Sequence, residues 1–160
     1  MSADPMLRLR VEDFLYDYAA LLDEERFAEW PARFVESACR YEVLSRENVD
    51  LGLPAPIMGC YSHGMVRDRV AMLVQGTLTY RRMNLLRQVS NVRATLETDR
   101  SIMARAGLAV FQSDEEGVTS LYIIGRYQAR LVERSNQFQI AEMRVIVDSF
   151  GIDTMLAVPL

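Results

Sequence analysis

Apolar residues near the start of the chain recur at the spacing of an amphipathic helix. They are Val11, Phe14, Leu15, Tyr18, Leu21 and Leu22. Steps of three and four residues place such side chains on one helix face, which predicts a helix with one buried side. The Asp4 side chain can accept hydrogen bonds from the first free backbone amides of this helix. Pro5 has no amide hydrogen, and none is used at the first helical position. We therefore predict that this helix begins at Pro5 and ends near Glu25.

A second, shorter apolar stripe follows at Phe27, Trp30 and Phe34. Pro31 holds Trp30 in extended geometry and suits a first helical position, so we predict that the second helix begins at Pro31. A strand from Arg40 to Leu44 comes next.

The following segment, residues 48–59, is rich in Gly and Pro and is predicted to be a loop. Ser62 can cap a third helix that runs to about Gln75. Its predicted inner stripe consists of Val66, Val70, Leu73 and Val74.

From Gln88 onward the apolar pattern changes to that of strands. Branched and aromatic residues dominate four stretches, residues 89–98, 102–112, 118–133 and 138–148. Turn residues at 114–117 and 133–137 separate the last three, which is typical of hairpins. We therefore predict an α+β fold in a single domain, residues 1–160, with three N-terminal helices on a curved, mostly antiparallel sheet.

The composition excludes several classes of protein. Half of the residues are apolar and the net charge is −4, with acidic and basic residues interleaved. Neither a membrane span nor a signal peptide is indicated, so a cytoplasmic protein is expected. Nucleic acid is not an expected partner. The chain contains no Lys, which excludes Schiff-base chemistry and a phosphate-loop lysine.

Metal-ligating residues are scarce. The chain has one His, His63, and two Cys, Cys39 and Cys60. A Rieske cluster needs two of each, and a mononuclear non-heme iron site needs two His with a carboxylate, so this chain alone can supply neither. We expect no metal site, and we expect both cysteines to be buried thiols.

His63 is the candidate catalytic residue, with Asp68 as its partner. Residues five apart do not stack well on a helix, so a capping or surface role for His63 is the alternative. In a cavity, His63 could instead work with a carboxylate such as Asp17 or Asp23.

Charged residues at two places are candidates for a subunit interface. Glu142 and Arg144 are two apart in the last predicted strand and should share a face with Phe138, Ile140 and Ile146. Such charges need a partner within the chain or on another subunit. The second set is Tyr80, Arg81, Arg82 and Arg87, whose guanidinium groups could bind carboxylates of another subunit.

Nearly the whole chain resembles the small, β subunit of aromatic-ring-hydroxylating dioxygenases, which has the NTF2-like, cystatin-like fold. The matching positions are Phe14, Leu15, Tyr16, Leu21, Leu22, Asp23, Trp30, Tyr41, Asp68, Arg69, Val70, Leu73, Val89, Ser90, Asn91, Val92, Val147, Asp148 and Ser149. The ending, residues 153–160, is most similar to β subunits that serve terephthalate and related carboxylated aromatics.

The resemblance implies a noncatalytic structural subunit with no cofactor of its own. In this family the α subunit holds the Rieske cluster (2Fe–2S) and mononuclear Fe(II), a separate reductase delivers electrons from NADH, and the subunits form an α3β3 hexamer in which β chains associate as a trimer. The complex inserts both atoms of dioxygen into an aromatic ring. Two alternatives stay open: a stand-alone isomerase or dehydratase using His63, and a ligand-binding or dimerisation module.

Overall fold

The computed structural model describes residues 4–76, 83–149, 151–152 and 156–160. In chain order its elements are α1 (Pro5–Asp23), a 3₁₀ helix (Phe27–Arg33), β1 (Arg40–Ser45), α2 (Arg46–Asp50), β2 (Met58–Cys60), α3 (His63–Val74), β3 (Asn84–Leu96), β4 (Ile102–Ser113), β5 (Thr119–Arg134) and β6 (Gln137–Val147).

The strands form one curved sheet in the order β2-β1-β6-β5-β4-β3. The four long strands make an antiparallel meander, and β1 joins it in parallel with β6. The helices cover one side, which we call the inner face, and the opposite side is the outer face. The predicted α+β class is confirmed.

Helix α1 follows its sequence pattern. Asp4 caps it by accepting a hydrogen bond from the Met6 amide at 2.9 Å. Val11, Leu15 and Tyr18 are completely buried against the sheet. Burial of this stripe fixes the helix on the inner face, since side chains of this size contribute about 1.5–3 kcal/mol each when removed from water.

The second and third helices differ from prediction in detail. The second helix is of the 3₁₀ type and starts at Phe27, so it contains Pro31 instead of beginning there. It is one short segment that brings Trp30 into the core. In α3 the predicted stripe is buried except for Val74, which is 66% exposed because the helix ends at that residue.

The predicted loop 48–59 is ordered at both ends. Ser45 caps the short helix α2, with the Asn48 amide 3.2 Å from its hydroxyl. At the other end β2 pairs antiparallel with β1 as an edge strand. Three residues are too few to give a strand pattern in the sequence, so β2 could only be found from its pairing.

An extra residue in β6 changes which side chains reach each face. The register passes from Leu131 opposite Ile140 to Arg130 opposite Glu142, which leaves Ala141 as a bulge. Successive residues of a strand normally point to opposite faces of the sheet. One inserted residue therefore moves every later side chain to the face opposite the one it would otherwise occupy. The expectation that Glu142 and Arg144 share a face with Phe138 and Ile140 is therefore wrong: those two apolar residues lie inside. Glu142 and Arg144 lie on the outer face, which they share with Ile146 as predicted.

Candidate functional site

His63 and Asp68 do not form a catalytic pair in this structure. His63 is the first residue of α3, and its Nε2 lies 3.0 Å from the Pro31 carbonyl oxygen. Its Nδ1 is buried and has no hydrogen-bond partner within the described part of the chain. Asp68 is exposed on the outer side of α3, and Asp17 is exposed on α1. The imidazole is thus placed to tie α3 to the 3₁₀ helix.

Asp23 and Arg87 meet inside the sheet. Arg87 was a candidate for binding carboxylates of another subunit, but β3 begins at Asn84, before the predicted residue 89, and directs this side chain inward, where its exposed fraction is zero. Its Nη1 donates to Asp23 Oδ1 at 2.6 Å, and its Nη2 donates to the Pro159 carbonyl. The carboxylate that Arg87 binds therefore belongs to its own chain.

The interior of the sheet is filled by aromatic side chains and by the segment 156–160. Trp30 Nε1 donates to the Tyr18 hydroxyl at 3.1 Å, and that hydroxyl donates to the Leu160 carbonyl at 3.2 Å. The Leu160 amide in turn donates to the Tyr41 hydroxyl at 2.9 Å. Leu160 has no exposed surface, so this segment is part of the core.

Ring packing completes the filled interior. The Trp30 ring meets Phe34 and Tyr41 edge to face at centroid distances of 5.0 and 5.1 Å. Tyr18 meets Tyr127 in the same way at 5.9 Å. Burial raises the pKa of Tyr18, Tyr41 and Tyr127 far above the usual tyrosine range, so none of these phenols is prepared to lose a proton near neutral pH.

A buried carboxylate lies on the outer face at the β1 end of the sheet. Glu42 is 6% exposed although it points away from the helices. Arg40 donates to it at 2.7 Å, and Arg144 Nε lies 3.9 Å from its other oxygen. The Arg40 guanidinium also stacks over the Tyr61 ring at 5.2 Å. Of the two charges predicted in β6, Arg144 thus has a partner in β1, which the sequence alone did not indicate.

The remaining candidate interface residues are Glu142 in β6 and three residues near position 81. Glu142 is half-buried on the outer face, directly between Arg40 of β1 and Arg130 of β5 in the strand register. Tyr80, Arg81 and Arg82 lie outside the described residues.

The two cysteines are free, buried thiols, as predicted. Burial raises the pKa of both thiols, which leaves them poor nucleophiles and poor metal ligands at neutral pH. Among residues 4–76, 83–149, 151–152 and 156–160, no three His, Cys, Asp or Glu side chains are grouped so that they could hold a metal ion. Within the same ranges, no helix has the length and apolar character needed to cross a membrane.

These features define an α+β scaffold whose curved sheet encloses a packed interior and leaves charged residues on its outer face. The family model of the ring hydroxylating beta subunit matches residues 18–154. The chain therefore belongs to the family of β subunits of aromatic-ring-hydroxylating dioxygenases, which confirms the resemblance found in the sequence.

Individual relatives agree with this family. The small subunit of anthranilate 1,2-dioxygenase from Burkholderia cepacia is 33% identical over 89% of this chain and 88% of its own length. Subunit beta 2 of the terminal oxygenase component of terephthalate 1,2-dioxygenase from Comamonas sp is 26% identical over 95% of this chain and 97% of its own length. A Novosphingobium aromaticivorans protein, crystallised as the assigned β subunit of an aromatic-ring-hydroxylating dioxygenase, superimposes with a TM-score of 0.85 at 33% identity, covering 96% of both chains. The fold is NTF2-like, as in these β subunits.

Proposed function

We propose that this chain is the noncatalytic structural subunit of a dioxygenase whose large α subunit carries out all redox chemistry. The small number of His and Cys residues in the chain supports this role. The chain has one His and two Cys. A Rieske cluster is bound by two Cys and two His, and a mononuclear iron site by two His and a carboxylate, so the chain lacks a His for either. Both cofactors would then reside in the α subunit, with electrons arriving from NADH through a separate reductase.

The observation that carries the proposal is the filled interior. A stand-alone isomerase or dehydratase would need a cavity beside a proton-transferring group. Here Trp30, Tyr18 and Leu160 occupy the centre of the curved sheet through a continuous hydrogen-bond chain. His63 Nε2 faces the Pro31 carbonyl oxygen at 3.0 Å. A packed scaffold is what this arrangement can provide.

The assembled enzyme is proposed to be a cytoplasmic α3β3 hexamer in which β chains associate as a trimer and hold the α subunits in register. Glu142 and Arg144 remain proposed contact residues because both are partly exposed on the outer face. Two relatives belong to dioxygenases of anthranilate and terephthalate, so we propose an aromatic carboxylate as the substrate class, degraded by the complex.

Expression of the full chain alone and together with its α subunit tests this proposal. The purified chain alone should contain no stoichiometric iron and should not convert anthranilate or terephthalate in the presence of reductase and NADH. The co-expressed complex should contain iron, show a Rieske spectrum and turn over one of these acids. Iron binding or turnover by the isolated chain would contradict the noncatalytic role.

The isomerase alternative is tested separately by His63→Ala. In the proposed role, this substitution leaves the turnover number of the complex unchanged. A loss of turnover in a complex with full iron content would show that His63 takes part in the chemistry.

A further inference from the structure

Two exposed arginines face each other across neighbouring strands on the outer face. Arg93 of β3 lies directly opposite Arg105 of β4 in the strand register. Their strand neighbours Val92, Ala94 and Ala104 are buried on the inner face, so both arginine side chains point outward. Residues placed in this way have Cβ atoms about 4.5–5.5 Å apart, and like charges at that distance destabilise a sheet. We call these two residues the arginine pair.

Helix α1 carries a pair of the opposite charge. Asp13 and Asp17 are four residues apart, and both are exposed. Val11 and Leu15 on the same helix are buried against the sheet, so the two carboxylates lie on the side that faces away from it. Side chains at this spacing have Cβ atoms about 5–6 Å apart, and like charges there destabilise a helix. We call these two residues the aspartate pair.

Neither pair is neutralised within the chain. Among the residues that the structure describes, no carboxylate forms an ion pair with the arginine pair, and no guanidinium forms one with the aspartate pair. Nearby charges already have partners: Glu12 is paired with Arg8, and Asp99 with Arg130. Each pair therefore destabilises the free chain until a group of opposite charge binds it.

The two pairs are complementary in sign and in spacing. Two carboxylates on Cβ atoms about 5–6 Å apart can meet two guanidinium groups on Cβ atoms about 4.5–5.5 Å apart, which gives two ion pairs side by side. Tyr16 lies three residues from Asp13 and is 44% exposed. Its ring can bind an arginine on its face, and Tyr and Arg are enriched among the residues that dominate binding energy at interfaces.

We propose that the arginine pair of one copy of this chain binds the aspartate pair of a second copy, so that helix α1 of one β chain packs on the outer face of the next. Contacts between unlike surfaces can close into a ring, such as the proposed ring of three β chains. This inference rests on the proposed function and deepens it, because it names the surfaces that join the β chains.

Charge selects a second copy in this orientation. Two outer faces brought together would set arginine pair against arginine pair, and two α1 helices would set aspartate pair against aspartate pair, which repels in both cases. The unlike surfaces attract. The group that the arginine pair needs is present on this chain, with the matching sign and spacing, and it is likewise unpaired.

Charge reversal in the full chain, purified alone, tests this contact. Arg93→Glu/Arg105→Glu and Asp13→Arg/Asp17→Arg should each weaken self-association at least about tenfold, measured by sedimentation equilibrium at low ionic strength. The quadruple variant that carries both changes exchanges the charges of the two surfaces and should associate as tightly as the wild type. A direct contact between the two pairs predicts this recovery, whereas two separate structural roles do not.

Two controls exclude an indirect effect. Each reversed pair still places like charges side by side, so the melting temperature of the dissociated chain should be close to that of the wild type. The matched variant Arg67→Glu/Arg134→Glu makes the same change of charge at exposed arginines on α3 and at the end of β5, and it should associate normally. Equal dissociation of this variant would show that net charge governs association, which overturns the contact.

The outcomes separate this inference from the proposed function. If the wild type is a monomer when purified alone, if the double variants associate as well as the wild type, or if the quadruple variant does not recover, the contact is wrong. If Arg93→Glu/Arg105→Glu weakens binding to the α subunit but not self-association, the α subunit covers the outer face, which also overturns the inference. In each case the proposed function stands, since it fails on iron binding or turnover by the isolated chain.

Discussion

Asp23, the last residue of α1, is bound by both the side chain and the main chain of Arg87 in β3. Arg87 Nη1 lies 2.6 Å from Asp23 Oδ1, and the Arg87 amide lies 3.0 Å from Oδ2. The guanidinium is completely buried and the carboxylate is 15% exposed. This pair joins the helix to the sheet at a point where neither charge is well solvated.

Replacing Arg87 by Met should destabilise the chain by about 3–5 kcal/mol, because Asp23 would be left as a buried charge without its partner. Urea unfolding at neutral pH measures the change. Arg130→Met breaks an ion pair with Asp99 in which both side chains are about half exposed, and it should change the stability little. Similar losses in the two variants would contradict the view that burial makes the Asp23 pair important.

The two interior tyrosines that pack edge to face, Tyr18 and Tyr127, should respond differently to loss of the hydroxyl. Tyr18→Phe leaves Trp30 Nε1 without its acceptor, and the Leu160 carbonyl keeps only the Tyr41 hydroxyl at 3.4 Å, so the substitution should cost about 1–3 kcal/mol. The Tyr127 hydroxyl is buried and has no partner among the described residues, so Tyr127→Phe should be neutral or stabilising. Thermal unfolding of both variants makes the comparison, and a large loss on Tyr127→Phe would reveal a bound partner for that hydroxyl.

Stability should fall at alkaline pH. Burial raises the pKa of Cys39, Cys60, Tyr18, Tyr41 and Tyr127 above their ordinary values, so the folded chain keeps protons that the unfolded chain releases. Their contribution is complete below the unfolded pKa values, near 9 for Cys and 10 for Tyr, and is lost as the pH rises through the folded values. The free energy of unfolding should thus be level to about pH 8 and decline above it.

Absorbance at the phenolate wavelength tests the same prediction independently. Phenolate from the three buried tyrosines should appear only together with the loss of secondary structure. In Tyr127→Phe the free energy of unfolding should fall less steeply with rising pH, because one fewer phenol ionises on unfolding. Ionisation of these tyrosines in a fully folded chain would contradict the burial described here.

Gly125 in β5 should not accept a side chain. A Cβ at this position would lie 2.3 Å from the Ile146 carbonyl oxygen, which is backbone of the paired strand and cannot move aside. Gly125→Ala should therefore destabilise the chain by about 1–3 kcal/mol. Gly64→Ala in α3, where a Cβ would meet only the Ser62 hydroxyl oxygen at 3.7 Å, should be neutral or stabilise by up to about 1 kcal/mol. Urea unfolding distinguishes the two, and equal effects would exclude the backbone clash.

Local features of the fold could be predicted from the sequence because they depend on neighbours along the chain. The burial of Val11, Leu15 and Tyr18, the cap at Ser62 and the two hairpin turns all follow from short patterns. These patterns fixed the α+β class without knowledge of which strands pair.

Features that depend on distant segments could not be predicted. The partner of Arg87 is 64 residues away at Asp23, and no spacing rule connects them. The bulge at Ala141 moves Glu142 to the outer face, and only the pairing with β5 reveals it. The position of Arg93 opposite Arg105 likewise depends on the register of two strands, since the bulge near Asn91 shifts the alternation in β3.

The parallel pairing of β1 with β6 has a kinetic consequence. The meander from β3 to β6 can assemble through successive hairpins, each closing a short loop. β1 can take its place only when β6 is present, and the loop between them contains every strand from β2 to β5. Because closing long loops costs entropy before it gains contacts, attachment of β1 and β2 should be the slow, late step of refolding.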